Sequence, residues 1–189
     1  MKKIAIFASG NGSNAENIIR YFNEKPQLPE VSLVVCNKSD AGVLKRAEDF
    51  GVPTAIISKS ELNHSDFMLG LLQKHSVDII VLAGFLLMIP AFLTNHYKNR
   101  IVNIHPSLLP AYGGKGMFGR HVHEAVIAAG EKQTGITIHL VTDKYDDGAI
   151  LFQAKTEVTA EDTPESVEAK IHHLEKRYFP QMIEKFFCH

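Results

Sequence analysis

The stretch Ile4-Ala5-Ile6-Phe7-Ala8-Ser9-Gly10-Asn11-Gly12-Ser13-Asn14 decides the fold. Five apolar residues in a row, without polar alternation, fit a strand covered on both faces. The run is too short for a signal h-region or a membrane span. The residues after it suit a tight turn, and a helical stretch over 14–23 follows. Glycines let backbone approach an anion closely, and a helix N-terminus offers free N–H groups and partial positive charge. The turn is neither a Gly-x-Gly-x-x-Gly fingerprint, because Ala15 stands where the third glycine would be, nor a P-loop, because no Gly-Lys-Ser/Thr follows. Phosphate binding and a plain capped strand-to-helix turn both remain open from this segment alone.

The rest of the chain repeats the strand–helix alternation. Apolar runs at 31–36, 54–57, 78–83, 101–104, 135–141 and 149–155 read as strands. Helices are expected over 41–50, 62–75 and 121–129, and from the Thr163-Pro164 start signal towards Phe186. In that last helix Phe179, Met182, Ile183, Phe186 and Phe187 are expected to form the core face. The order predicts an α/β fold with a doubly wound, mostly parallel, Rossmann-like sheet and helices on both faces. No repeat or linker divides the chain, so residues 1–189 are expected to form one catalytic domain.

Composition narrows the function. Apolar residues are 45% and charged residues 22%, with a net charge of −1. That balance gives no reason to expect nucleic acid or an anionic membrane as partner. Cys36 and Cys188 are the two cysteines, with neither disulfide-framework nor metal-ligand spacing, and a reducing cytoplasm is the simplest setting. The ten histidines include the tight pairs His121/His123 and His172/His173, whose side chains diverge on a helix. No carboxylate or cysteine completes a zinc set, so no metal is expected. His121, His123 and His139 fit surface, capping or core positions.

Chemistry concentrates in Val102-Asn103-Ile104-His105-Pro106-Ser107-Leu108-Leu109-Pro110. Residues two apart on a strand face the same side, so Asn103 and His105 point together, and the prolines stiffen the loop that follows. An amide donor and an imidazole aimed at one spot suit an oxyanion and a proton transfer near neutral pH.

These segments, together with Ala83-Gly84-Phe85 and Val141-Thr142-Asp143-Lys144-Tyr145-Asp146-Asp147-Gly148, resemble the glycinamide ribonucleotide transformylase family of folate-dependent formyltransferases over about residues 2–187. The Asn-x-His pair with a downstream Asp is shared by the wider superfamily. The Ser-Gly-Asn-Gly-Ser-Asn turn narrows the acceptor to a ribose phosphate.

The resemblance implies transfer of the formyl group of 10-formyltetrahydrofolate, as co-substrate, to the amine of 5'-phosphoribosylglycinamide in purine synthesis. It implies direct attack without an acyl-enzyme. Asn103 and protonated His105 would stabilise the oxyanion, and Asp146 would favour the imidazolium and assist the proton. It places the substrate phosphate at Gly10, Asn11, Gly12 and Ser13, with His172 and Glu175 nearby. It places folate against Leu86, Leu87, Met88, Ile89, Val141 and Asp143; some relatives carry Arg where Leu87 stands. His121 and His139 fall near the cleft by the same analogy. Asp147 stands where many relatives have Gly, so Asp147 and Asp143 compete with Asp146, with position relative to Gly148 favouring Asp146. Residues 113–119 are a mobile flap over the substrate or a plain surface loop.

Small-molecule substrates and a monomer or homodimer are expected. A deformylase would carry a regulatory domain before the first strand, which begins at residue 2. A methionyl-tRNA formyltransferase would carry a C-terminal barrel, and a sugar-nucleotide formyltransferase fits the first turn less well. A non-catalytic nucleotide-binding module would not need the Asn-His-Asp set.

Overall fold

The apolar runs assemble into one seven-stranded sheet with strand order β3-β2-β1-β4-β5-β6-β7. The strands are β1 (Lys3–Ala8), β2 (Glu30–Cys36), β3 (Thr54–Ile56), β4 (Ile79–Leu82), β5 (Ile101–His105), β6 (Gln133–Leu140) and β7 (Ile150–Glu157). The computed structural model describes residues 1–188; His189, the last residue of the expected domain, lies outside the described residues. Strands β1 to β5 pair in parallel. Strands β6 and β7 add to the β5 side antiparallel.

Period-two alternation explains why both faces are covered. From β1, Ile4, Ile6 and Ala8 enter one core with α1 (Ser13–Asn23), α2 (Gly42–Asp49), α6 (Arg120–Ala128) and α7 (Pro164–Phe187). Ala5 and Phe7 enter the other, with α3 (Lys59–Leu62), α4 (Ser65–Lys74) and α5 (Ala91–His96). All five of these β1 residues are fully buried.

Local chemistry corrects several expectations. The helix expected over 62–75 is α4, and the short α3 before it was not expected. Ser58 and Glu61 form a capping box that starts α3, and His64 Nδ1 accepts from Phe67 N to start α4. The short α5 follows Pro90 and has no periodic stripe long enough to announce it. The Thr163 cap on α7 does form, as a capping box with Ser166. Its buried line advances in fours through Val167, Ile171, Glu175, Phe179, Ile183 and Phe187. Phe186 falls one position off that line and is exposed, and Met182 is only partly buried.

Candidate active site

The strand order reverses direction of growth between β1 and β4, and open α/β sheets bind ligands outside the carboxyl ends of strands at such a point. A cleft of about 820 Å³ lies there. Its walls include the turn after β1, the segment after β4, the end of β5, the 114–119 loop, the β6–β7 connection and one face of α7.

One end of the cleft is the turn at 9–14. Gly12 caps α1 with φ of +82°, and a Cβ there would sit 2.6 Å from the Val43 Cα, so only glycine fits. The first intrahelical bond is Glu16 N–H to the Gly12 carbonyl, 2.9 Å, which leaves the N–H groups of the first turn ahead of the ladder. Ser9 Oγ donates to Asn37 Oδ1 at 2.5 Å and accepts from Leu86 N at 3.0 Å, tying this turn to the segments after β2 and β4. Asn14 lies inside the first turn of α1 and does not cap it. Its Nδ2 donates to Glu175 Oε2, 2.9 Å, joining α1 to α7. Burial raises the pKa of that carboxyl, against the pull of Asn14 and His172. Arg46 donates to the Asn11 carbonyl at 2.8 Å and pairs with Glu16. Lys38 lines the cleft beside the turn, a contribution that nothing in the local motif signals. His172 lines the same end, with its side chain 56% exposed and 4.0 Å from Glu168.

The centre is built by side chains from distant segments. Asn103 sits opposite His139 in the β5–β6 register, and their side chains meet at 3.0 Å, Asn103 Nδ2 to His139 Nε2. His139 Nδ1 lies 2.8 Å from the Leu140 carbonyl. A carbonyl only accepts, so Nδ1 carries the proton and Nε2 accepts from Asn103. The second N–H of the Asn103 amide is left for a ligand. His105 is 4% exposed, and its Nε2 donates to the Tyr112 carbonyl, 2.7 Å. Its Nδ1 faces Asp146 Oδ2 at 3.6 Å. Asp146 Oδ1 lies 3.5 Å from His139 Nε2, and Oδ2 accepts from Gly114 N at 2.9 Å.

Backbone strain marks the same spot. Tyr112 and Asp146, the two residues against His105, have φ of +56° and +52°, a left-handed conformation uncommon outside glycine. Gly148 closes this bend tightly, since a Cβ there would lie 1.6 Å from the Leu140 carbonyl oxygen.

Electrostatics follow from burial. The His105 pKa is lowered: burial disfavours the imidazolium more than Asp146 and the Tyr112 carbonyl favour it. The expected upward push from the carboxylate is present, but desolvation outweighs it in the unliganded cleft. Burial opposes ionisation of Asp146. The His139 imidazole 3.5 Å away, the hydrogen bond from Gly114 N and the charge of His105 more than offset that, and its pKa is lowered. Asp147 is exposed and sits 4.0 Å from Lys144. Asp143 is also exposed and does not line the cleft, so the geometry favours Asp146 among the three.

At the other end, Leu86, Leu87, Met88, Ile89 and Val141 line an apolar wall, with Leu86 and Met88 exposed. Lys115 and Phe118 of the glycine-rich loop line the opening. His123 also lines the cleft, although its Nδ1 is buried without a partner. His121, by contrast, is exposed beside Glu124.

The formyl transferase family model matches residues 2–183. The chain belongs to the formyl transferase family. Phosphoribosylglycinamide formyltransferase of Bacillus subtilis is 40% identical over 189 residues, covering 98% of this chain and 94% of that protein. The chloroplastic phosphoribosylglycinamide formyltransferase of Arabidopsis thaliana is 39% identical, and this chain spans 64% of its length. Among solved structures, glycinamide ribonucleotide transformylase 1 from Geobacillus kaustophilus superposes with a TM-score of 0.88 at 32% identity, covering 98% of each chain. Phosphoribosylglycinamide formyltransferase from Streptococcus pneumoniae superposes with 0.86 at 36% identity, covering 99% of each. The formyl transferase fold thus accounts for the whole sheet, the antiparallel pair β6–β7 included.

Proposed function

We propose that the chain transfers the formyl group of 10-formyltetrahydrofolate to the amine of 5'-phosphoribosylglycinamide. One observation carries the reading. An amide donor, an imidazole and a carboxylate converge at the middle of a formyl transferase cleft that has an anion-type turn at one end and an apolar wall at the other. That layout matches a phosphorylated acceptor and a flat apolar donor meeting at their reacting atoms.

In the proposed reaction the acceptor amine attacks the formyl carbon, forming a C–N bond and a tetrahedral oxyanion. The free Asn103 N–H and the Nδ1–H of protonated His105 stabilise it, because Nε2 is committed to Tyr112. The attacking nitrogen loses a proton, through water and Asp146, and folate N10 gains one. The bond from carbon to N10 then breaks, releasing tetrahydrofolate and the formylated amine. The phosphate takes the N–H groups of Gly10, Asn11, Gly12 and Ser13, with His172 and Glu175 at the ribose side. Folate takes backbone groups of Leu86–Ile89 and the wall near Val141; Asp143 plays no part that the cleft supports.

The test mixes the protein with 10-formyltetrahydrofolate, with and without phosphoribosylglycinamide, and follows folate release. Release only with the amine is expected. Release without it would make the chain a hydrolase, and none at all would leave a binding module.

A further inference from the structure

His105, Thr137 and Gln153 stand in one row across the sheet: His105 pairs with Thr137 between β5 and β6, and Thr137 with Gln153 between β6 and β7. Residues directly opposite share a face. The loop that leaves β5 doubles back over this row. At the near end its Tyr112 carbonyl accepts from His105 Nε2. At the far end Thr137, fully buried, makes three hydrogen bonds through one hydroxyl. Its Oγ1 donates to the Ser107 carbonyl at 2.7 Å and accepts from Leu109 N at 2.9 Å and from Gln153 Nε2 at 2.9 Å. Gln153 Nε2 also donates to the Leu109 carbonyl, 3.0 Å. Ser107 Oγ, itself buried, reaches the Ala111 carbonyl at 2.6 Å and carries the constraint to the residue before Tyr112.

We propose that Thr137 and Gln153 are positioning residues: they fix the 106–112 loop so that the Tyr112 carbonyl holds His105 in one tautomer, with Nδ1 presented to the cleft. Neither side chain lines the cleft, so both act through the loop and not on the substrate. A hydroxyl that already uses its donor and both acceptor sites has no capacity left for a ligand. The carbonyl it controls decides which imidazole nitrogen bears the proton when the ring is neutral. The proposal rests on the formyl-transfer reading for its kinetic effect, but not for its effect on the His105 ring.

The test has two arms on the same variants, Thr137→Val and Gln153→Leu, with Thr137→Ser as the conservative control. In the first arm, imidazole nitrogen NMR of His105 above its pKa should show one tautomer, protonated on Nε2, in the wild type and in Thr137→Ser. Both tautomers should appear in Thr137→Val and Gln153→Leu. In the second arm, kcat should fall on the order of tenfold to a hundredfold, as for loss of a partner that orients a histidine, while KM for both substrates stays within about threefold, and Thr137→Ser should recover most of it. If Thr137→Val does not fold, Gln153→Leu on the edge strand decides. A wild-type His105 spectrum in the folded variants would overturn the proposal, whatever the activity. Tautomer mixing with no formyl transfer even in the wild type would leave the positioning role standing and sink the proposed reaction instead.

Discussion

One end of the cleft and its centre are built in opposite ways. The turn at 9–14 is local: six consecutive residues, their backbone directions and one left-handed glycine make it, and its side chains mostly tie neighbouring elements together. The reaction centre is assembled from β5, β6, the 112–114 loop and the β6–β7 connection, and the contacts that join Asn103, His105 and Asp146 to their partners all span a gap in sequence. A backbone site tolerates side-chain changes and fails when a Cβ is forced into it. A side-chain site fails at single functional groups.

The sharpest way to break this contrast is at His105. His105→Ala should lower kcat by about 10²–10⁴, from lost acid–base and oxyanion stabilisation, with the thermal midpoint little changed. Near wild-type turnover of folded protein would remove His105 from the chemistry. Asp146→Asn should cost on the order of 10² in kcat. Because Asp146 holds the His105 pKa up against burial, the limb of the pH–rate profile that reports His105 should move to lower pH. Asp147→Asn, which alters an exposed group beside Lys144, should change neither. If the two substitutions exchanged effects, the choice between the adjacent aspartates would be reversed.

At the backbone end the expected signature differs. Gly12→Ala puts a methyl 2.6 Å from Val43 and an alanine at φ of +82°, which should cost about 2 kcal/mol. For a chain of this size that lowers the midpoint by about 4–8 °C. KM for the phosphorylated acceptor should rise on the order of tenfold with kcat much less affected. Ser13→Ala should do far less, since the N–H groups remain. Equal effects in steady-state kinetics would show that the Ser13 hydroxyl, not the backbone, carries the anion.

The smallest effect is on stability against pH. His105 and His123 are both lowered by burial, so the unfolded chain binds more protons as pH falls through about 6.5. Stability should therefore drop below that pH, by at most about 1.4 kcal/mol per group for each pH unit until the folded-state value is reached. Asp146, lowered from 3.8, acts in the same direction in a lower window: its contribution is intact above that value and is lost as pH falls below it. Denaturant midpoints at pH 7 and pH 5.5 measure the histidine part, and His123→Gln should reduce the slope.

What the sequence disclosed follows the same division. The β1–turn–α1 unit was legible because its signals are contiguous, and continuous apolar strands implied cover on both faces. Asn103 and His105 were legible because strand geometry alone puts them on one side. The Tyr112 carbonyl and the Gly114 N–H were not, since a backbone contact across a loop leaves no mark in residue type. For His139 the residues alone offered a surface, capping or core position and the family resemblance put it near the cleft; its partner, Asn103, came only from the β5–β6 register. Phe186 looked like core because it is apolar, but a line advancing in fours passes it by. The short α3 was hidden because its one apolar residue, Leu62, reads as the first of the apolar residues that continue through α4.

Arg46 touches the phosphate-type turn, yet its guanidinium is already occupied by Glu16 and by the carbonyl and side chain of Asn11. An anion seated there meets amide dipoles and Lys38 in place of a bidentate fork. Such a grip is short-ranged and weakly dependent on ionic strength. In the proposed reaction it would favour exchange: a phosphorylated product would leave without first breaking a bidentate arginine pair, so the cycle would not stall on release.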